Sequence, residues 1–302
     1  MTYPTVIVIT GATASGKSAL ALDVAQALNC DIISADSRQI YRGIPITTAA
    51  PSSDDLSRVR HHFVETLNLD EYYSASRFEE EVMQLLPLLA RTSPYVVVCG
   101  GSMMYIDAFL NGIDEMPTVT TEVRERVLGM YRDLGMEGLL AVLQISDPVT
   151  YNRIDRANTR RVIHALEITI QAGVPYSSLC TNSVKKRPFR SFKFMIDHQR
   201  EILFDRINRR VDKMVDMGME QEARSVYHLR HLNSLNTVGF KEWFSHFDGL
   251  IDRETTIARI AKNTRVYAKK QLTWLARDPD IIHLDPDTDM MTRILSFCNP
   301  ML

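Results

Sequence analysis

The stretch that most restricts this chain is VIVITGATASGKS, residues 6–18. A run of β-branched residues from Val6 to Thr10 enters a loop of small residues, Gly11-Ala12-Thr13-Ala14-Ser15-Gly16. Lys17, Ser18 and an apolar helical pattern follow. The spacing is G-x-x-x-x-G-K-[ST] between a strand and a helix, the context in which this pattern makes a phosphate-binding loop. Its glycines let backbone N–H groups turn inward around oxyanions, and the helix adds its positive N-terminal end. Lys17 neutralises phosphate charge, and Ser18 is a ligand for Mg²⁺. Whose phosphate is held, a nucleotide's or another diphosphate's, is left open by the loop alone.

The rest of the first third alternates strand and helix. Strands are expected at 5–10, 31–34, 62–65 and 95–99, and helices at 17–28, 77–91 and 103–110, with Ser76 and Glu79 as a capping box for the second. Such alternation implies an α/β fold, a P-loop NTPase-like parallel sheet flanked by helices. Gly11–Ser18, Asp36–Tyr41 and Gly100–Ser102 each follow a strand, so they should meet at the carboxyl edge where ligands bind. From about 116 to 188 strand-like runs vanish and helical periodicity dominates. Thr120 or Thr121 stands before EVRERVLGMYRDLG, and NTRRVIHALEITIQAG closes at Gly173. A basic loop, Lys185-Lys186-Arg187-Pro188, ends the region. This predicts a helical insertion domain, 116–189, between core segments 1–115 and 190–302. Strand character returns at 192–196 and at 281–284, with long helices between.

Composition excludes several classes. Of 302 residues 45% are hydrophobic, enough for a large core. The formal net charge of -2 gives no global pull toward nucleic acid, so any such site must be a local cluster. Cys30, Cys99, Cys180 and Cys298 lack C-x-x-C spacing, which argues against a zinc site or a disulfide framework and fits a reducing cytosol. No apolar run approaches the roughly 20 residues that span a bilayer. The N-terminus enters a strand almost at once, leaving no room for a targeting peptide. A cytoplasmic monomer without membrane contact is the expectation.

Nucleotide hydrolases usually carry an apolar strand ending in an acidic residue that supports Mg²⁺ and water. Here the most apolar strand, YVVVC, ends in Gly100-Gly101-Ser102. The acid stands elsewhere, in DIISAD, which ends at Asp36. Asp36 can hold Mg²⁺ through water, act as a general base, or cap a turn.

At this point the chain resembles the tRNA dimethylallyltransferases (tRNA isopentenyltransferases). GATASGKS, ISADSRQIYRG, VVCGGSMMY, EVRERV, RINRRVDKM, TVGFKEW and TRVYAKKQLTWLAR look like the family's blocks in the family's order. The resemblance implies transfer of a dimethylallyl group from dimethylallyl diphosphate to N6 of an adenosine at tRNA position 37, with Mg²⁺. It places the diphosphate on Gly11, Ala12, Thr13, Ala14, Ser15, Gly16, Lys17 and Ser18, and Mg²⁺ on Ser18. Asp36 matches the family's base, Arg124 an arginine near the diphosphate, and Ser102 a hydroxyl, usually Thr, near the target base. The target base must leave its stack to react. Implied tRNA contacts are Asp36, Ser37, Arg38, Gln39, Ser102, Arg124, Arg160, Arg161, His164, Asn236, Thr237, Gly239, Phe240, Lys241, Arg265, Lys269, Lys270, Gln271 and Trp274. The family's Gln-Arg-x-x-Arg reads Arg160-Arg161-Val162-Ile163-His164 here, so Arg160 and His164 depart from it.

Two basic stripes at helical spacing offer phosphate contacts: Arg206, Arg209, Arg210 and Lys213; and Arg259, Lys262, Arg265 and Lys269 with Lys270 beside them. Asp205, Asp212 and Asp216 can neutralise much of the first. Trp243 and Trp274 suit a buried helix face better than base stacking. Three other readings share the loop: a small-molecule kinase, an adenylate isopentenyltransferase acting on a free nucleotide, and a nucleotide-dependent RNA-binding switch. The helical insertion and the basic C-terminal helix favour tRNA. Asp36 and Arg124 in family positions argue against the switch.

Overall fold

β1 (Thr5–Thr10) lies inside a six-stranded sheet of order β3-β2-β4-β1-β5-β6, parallel throughout. The others are β2 (Ile32–Ser34), β3 (His61–His62), β4 (Tyr95–Cys99), β5 (Ser191–Ile196) and β6 (Ile281–Leu284). The computed structural model describes residues 2–181 and 183–298. It forms two compact units, one of residues 1–110 with 186–302 and one of 111–185.

The central strands are apolar at consecutive positions because both faces are covered. Val6, Val8, Val96 and Val98 pack with Phe78, Val82 and Tyr105 on one face. Ile7, Ile9, Val97 and Cys99 pack with Leu20, Val24 and Phe194 on the other. The alternation expected from sequence is therefore present, with one element much shortened. The strand expected at 62–65 ends at His62, because Phe63 (φ 63°) and Glu65 (φ 48°) are left-handed and cannot continue a ladder. The expected capping box is displaced as well. The helix begins at Ala75, and Ser74 caps it by accepting from the Arg77 N–H at 3.1 Å. Ser76 is already helical, and Glu79 turns inward to meet Arg187 at 2.7 Å.

Two helices matter for the site, Arg200–Asp216 and Arg253–Leu275, which pack against each other in the first unit. The second unit is helical. Thr120 caps Thr121–Ser146, which kinks at Gly135, and left-handed Gly173 closes Thr159–Ala172. Val127, Leu139, Leu143 and Leu166 form its core. Asp147, fully buried, accepts from the N–H and hydroxyl of both Thr150 and Ser177, which satisfies its carboxylate.

Candidate active site

The loops after β1, β2, β4 and β5 converge, as parallel topology requires. Gly16 opens the helix Lys17–Ala27 with φ 98°, a conformation few side chains tolerate. Donors from other elements grip the loop's carbonyls. Lys17 Nζ donates to Ala12 O at 3.2 Å, Arg206 Nε to Ala14 O at 2.8 Å, and His198 Nε2 to Ser15 O at 2.7 Å. Gln271 accepts from Thr13 N at 2.9 Å and donates to Gly101 O at 2.9 Å, tying the loop to the end of β4. The amides of Gly16, Lys17 and Ser18 have no protein acceptor among the described residues. The result is an anion cradle in which the carbonyls of Ala12, Ala14 and Ser15 are occupied and the amides of Gly16, Lys17 and Ser18 are open.

The electrostatics agree. Burial lowers the pKa of Lys17, and the nearby Arg210 charge adds to this, while Cys99 and Asp36 oppose it. Arg210 NH1 donates to Thr13 Oγ1 at 3.2 Å. Burial lowers its pKa too, and Asp36 opposes. Two desolvated cations beside a set of free amides favour a polyanion.

Asp36 stands just past β2. Its Oδ1 accepts from the N–H groups of Arg38 at 2.9 Å and Gln39 at 3.3 Å, so it does cap a turn. That turn fixes the carboxylate, and its Oδ2 keeps no protein partner among the described residues. Ser102, 8% exposed, accepts from Ser37 N at 2.8 Å and retains its own O–H for donation. Gly100 allows this approach: a Cβ there would lie 2.1 Å from Ala35 O.

Two cavities adjoin at this point. One, of about 570 Å³, covers the phosphate loop and includes Lys17, Ser18, Gly101 and Arg206. The other, of about 620 Å³, is lined by Ile207, Val211, Met214, Asn236 and Asn263 among others. Thr13, Asp36, Arg210 and Tyr267 line both. Desolvation of the Tyr267 hydroxyl, with Asp36 adding, raises its pKa to about 12. Ser18 and Asp36 both reach the first cavity. A hydroxyl and a carboxylate there are hard oxygen donors of the kind Mg²⁺ takes beside substrate phosphates and water, so these residues fit the ion.

The remaining expected residues divide. Asn236, Thr237, Lys241 and Lys270 line the second cavity with Ser37 and Arg38. Arg38 spends its guanidinium on Asn233 O (2.8 Å) and Ser234 O (3.0 Å). Gln39 accepts from Ser34 Oγ and donates to Ala49 O. Gly239, Phe240 and Gln271 are buried; Phe240 packs in the core, and Gln271 spends its amide on the phosphate loop while lining the first cavity. Trp243 is fully buried, and half-buried Trp274 has the Arg277 guanidinium carbon 5.4 Å from its ring centre. Arg265 bonds Asn208, and Lys269 lies 5.6 Å from the Phe204 ring centre. In the second unit Arg124 pairs with Glu167 at 3.5 Å, while Arg160 and Arg161 are exposed. The His164 ring is partly desolvated and sits 5.9 Å from the Tyr176 ring. His164 is nonetheless exposed as a residue; desolvation of its ring lowers its pKa, Glu167 opposing and Arg124 adding. Within the first unit, Arg206 and Arg210 bring their guanidinium groups onto the phosphate loop. Sequence spacing alone assigns both to an RNA stripe; their i, i+4 relation is the available signal.

Comparison with known proteins decides the family. A profile described as IPP transferase matches residues 39–278. The chain belongs to that family. It is 50% identical over 281 residues to "tRNA dimethylallyltransferase 2" of Parabacteroides distasonis, covering 93% of this chain and 94% of that one. It is 48% identical over 294 residues to "tRNA dimethylallyltransferase 1" of Phocaeicola vulgatus, covering 97% and 98%. Among solved structures it is similar to a eukaryotic dimethylallyltransferase acting on tRNA, with a TM-score of 0.84 at 27% identity, covering 98% of this chain and 79% of the other. It also resembles the tRNA isopentenylpyrophosphate transferase of Bacillus halodurans, with a TM-score of 0.71 at 29% identity, covering 98% and 95%. The family's transferase activity thus falls on a parallel sheet carrying the phosphate cradle described above.

Proposed function

We propose that this chain transfers a dimethylallyl group from dimethylallyl diphosphate to N6 of an adenosine in tRNA, at position 37 beside the anticodon. The observation that carries this reading is the pair of cavities that share Asp36: one over the anion cradle and one lined in part by Ile207, Val211 and Met214. Displacement at an allylic carbon puts the leaving group and the nucleophile on opposite faces of that carbon. The diphosphate lies in the cradle on Lys17, Ser18, Arg210 and the loop amides. The adenine enters the second cavity, and C1 sits between them beside Asp36.

As N6 attacks C1, the C1–O bond breaks and its electron pair leaves on the diphosphate. Lys17, Arg210 and the free amides stabilise that developing charge in a site already desolvated. Asp36 Oδ2 takes the N6 proton, giving a neutral secondary amine and inorganic diphosphate. Ser102 can donate its hydroxyl to the reacting region. Ser18, with Asp36 through water, would hold Mg²⁺, which would supply further charge neutralisation for the leaving group. Arg160, Arg161 and exposed lysines of the Arg253–Leu275 helix serve tRNA phosphates.

The lack of a carboxylate after β4, where Gly100, Gly101 and Ser102 stand, speaks against phosphoryl transfer from a nucleotide. The test is radiolabelled dimethylallyl diphosphate offered with tRNA, AMP or ATP as acceptor. Label in tRNA at N6 of adenosine 37 is the expected result. Label in AMP or ATP, or turnover of ATP without label transfer, would overturn the reading.

A further inference from the structure

The second cavity carries polar groups that the reaction above does not use. Glu242, 6% exposed, accepts from Gly239 N at 2.8 Å through Oε2 and from Asn263 Nδ2 at 2.6 Å through Oε1. A carboxylate only accepts hydrogen bonds, so the Asn263 amide must turn its NH₂ toward Glu242. The reversed amide would set lone pairs against lone pairs in a buried place. Asn263 Oδ1 is thereby fixed as the free end of the side chain. It has no donor among the described residues, and Asn263 lines the cavity. A second group on the same lining is unmet. The Thr47 hydroxyl is buried without a partner, while its backbone N–H is taken by Glu222 at 2.7 Å. The buried, unpaired Thr47 hydroxyl is a group that a bound ligand satisfies, and Asn263, half-buried, offers its free acceptor on the same lining.

A fixed acceptor reads a donor. A 6-amino purine presents two in-plane N6 hydrogens, whereas a 6-oxo purine presents lone pairs at the same edge. We propose that Asn263, oriented by Glu242, determines base specificity by accepting one N6–H of the target adenine while Asp36 takes the other. This rests on the reading that the second cavity receives the base. With both hydrogens held in the ring plane, the N6 lone pair is directed out of the plane toward C1. Inosine or guanosine at the same position would face Asn263 Oδ1 with an oxygen, leaving two unpaired acceptors opposed.

The experiment uses the full-length protein and anticodon stem-loop RNAs that differ only at position 37. Single-turnover dimethylallyl transfer is measured on the adenosine loop, and its inhibition by the inosine and guanosine loops gives their relative affinities. For the wild type, the 6-oxo loops should bind about tenfold or more weaker than the adenosine loop. Asn263→Ala should slow transfer about five- to fiftyfold and bring the affinity ratio toward one. Glu242→Gln is the sharper variant. The new amide can still accept from Gly239 N through its oxygen, but its NH₂ then donates to Asn263 Oδ1 and flips that side chain. The Asn263 NH₂ would face the cavity, and the inosine loop should gain about tenfold or more relative to adenosine. If Glu242→Gln does not fold, Asn263→Ala carries the test alone, since it leaves the Gly239 cap intact. An affinity ratio unchanged in both variants overturns the proposal, as does a wild type that binds 6-oxo and adenosine loops equally while still transferring to adenosine. A wild type that transfers to no adenosine loop overturns the function reading, and this one with it.

Discussion

Lys17 holds its charge where water has been removed, and that makes its pH behaviour predictable. Its pKa in the free protein lies below the ordinary 10.5, chiefly through burial. A bound diphosphate favours the ammonium and raises the pKa again. Relative to Lys17→Arg, for which the ligand's own ionisation is the same, diphosphate affinity should start to fall once pH passes the lowered free-protein pKa, earlier than for an ordinary lysine. The fall should continue, up to about tenfold per pH unit, until the bound-state pKa is reached. Titration calorimetry with inorganic diphosphate across about pH 7 to 10 on both proteins measures this, since the arginine keeps its charge over that range. Asp36 allows a cleaner substitution. Its Oδ1 caps a turn, a task that asparagine performs nearly as well. Asp36→Asn should keep the fold and lose the proton acceptor. Single-turnover transfer should drop by about 10²- to 10⁴-fold, or roughly 3 to 5 kcal/mol of barrier, with tRNA affinity within a few-fold. A variant keeping more than about a tenth of the rate would remove Asp36 from the base role. The residue's place at a strand end is legible in DIISAD; that one carboxylate both caps a turn and faces two cavities is not.

At the scale of elements, the two basic helices separate. On Arg200–Asp216, Leu203, Ile207, Val211 and Met214 are buried at i, i+4, i+8 and i+11. Arg206 and Arg210 flank that stripe and turn to the phosphate loop. Arg209 pairs with Asp205 at 2.9 Å and lines the phosphate-loop cavity without bonding the loop. Sequence periodicity reports which residues share a face but not what the face meets, so the stripe reads equally well as an RNA surface. On Arg253–Leu275, Arg259, Lys262, Lys269 and Lys270 are exposed. Lys262→Ala with Lys269→Ala should raise the Michaelis constant for tRNA, and each lost phosphate contact should lower the log–log salt slope of binding by about 0.7 to 0.9. Filter binding between low and moderate salt measures the slope. An unchanged slope would make the stripe an ordinary solvated face.

Across the whole molecule, distant segments of the chain are pinned by buried polar contacts. Arg187, 11% exposed at its side chain, pairs with Glu79 at 2.7 Å and donates to Ala108 O at 2.7 Å. Arg187→Ala would break a buried ion pair by removing one partner and should destabilise the fold by about 3 to 5 kcal/mol, read as a lower urea midpoint; a shift near zero would mean the pair contributes no net stability. Lys185-Lys186-Arg187-Pro188 reads as a basic loop, and nothing local distinguishes Arg187 from its neighbours. The same division runs through the site. The sheet's class, the phosphate loop and the positions of Asp36 and Ser102 at strand ends are written in contiguous residues, because β-branched runs, glycine spacing and helical periodicity act over one or two turns of chain. The tertiary structure alone decided that Arg206 and Arg210 close on the loop from 192 and 197 residues away. It alone brought Gln271 to Thr13 across 258 positions and opened two cavities on the two sides of Asp36. Those contacts form between surfaces that the chain assembles only when its hydrophobic faces are buried together, and no local pattern encodes which polar group will then face which.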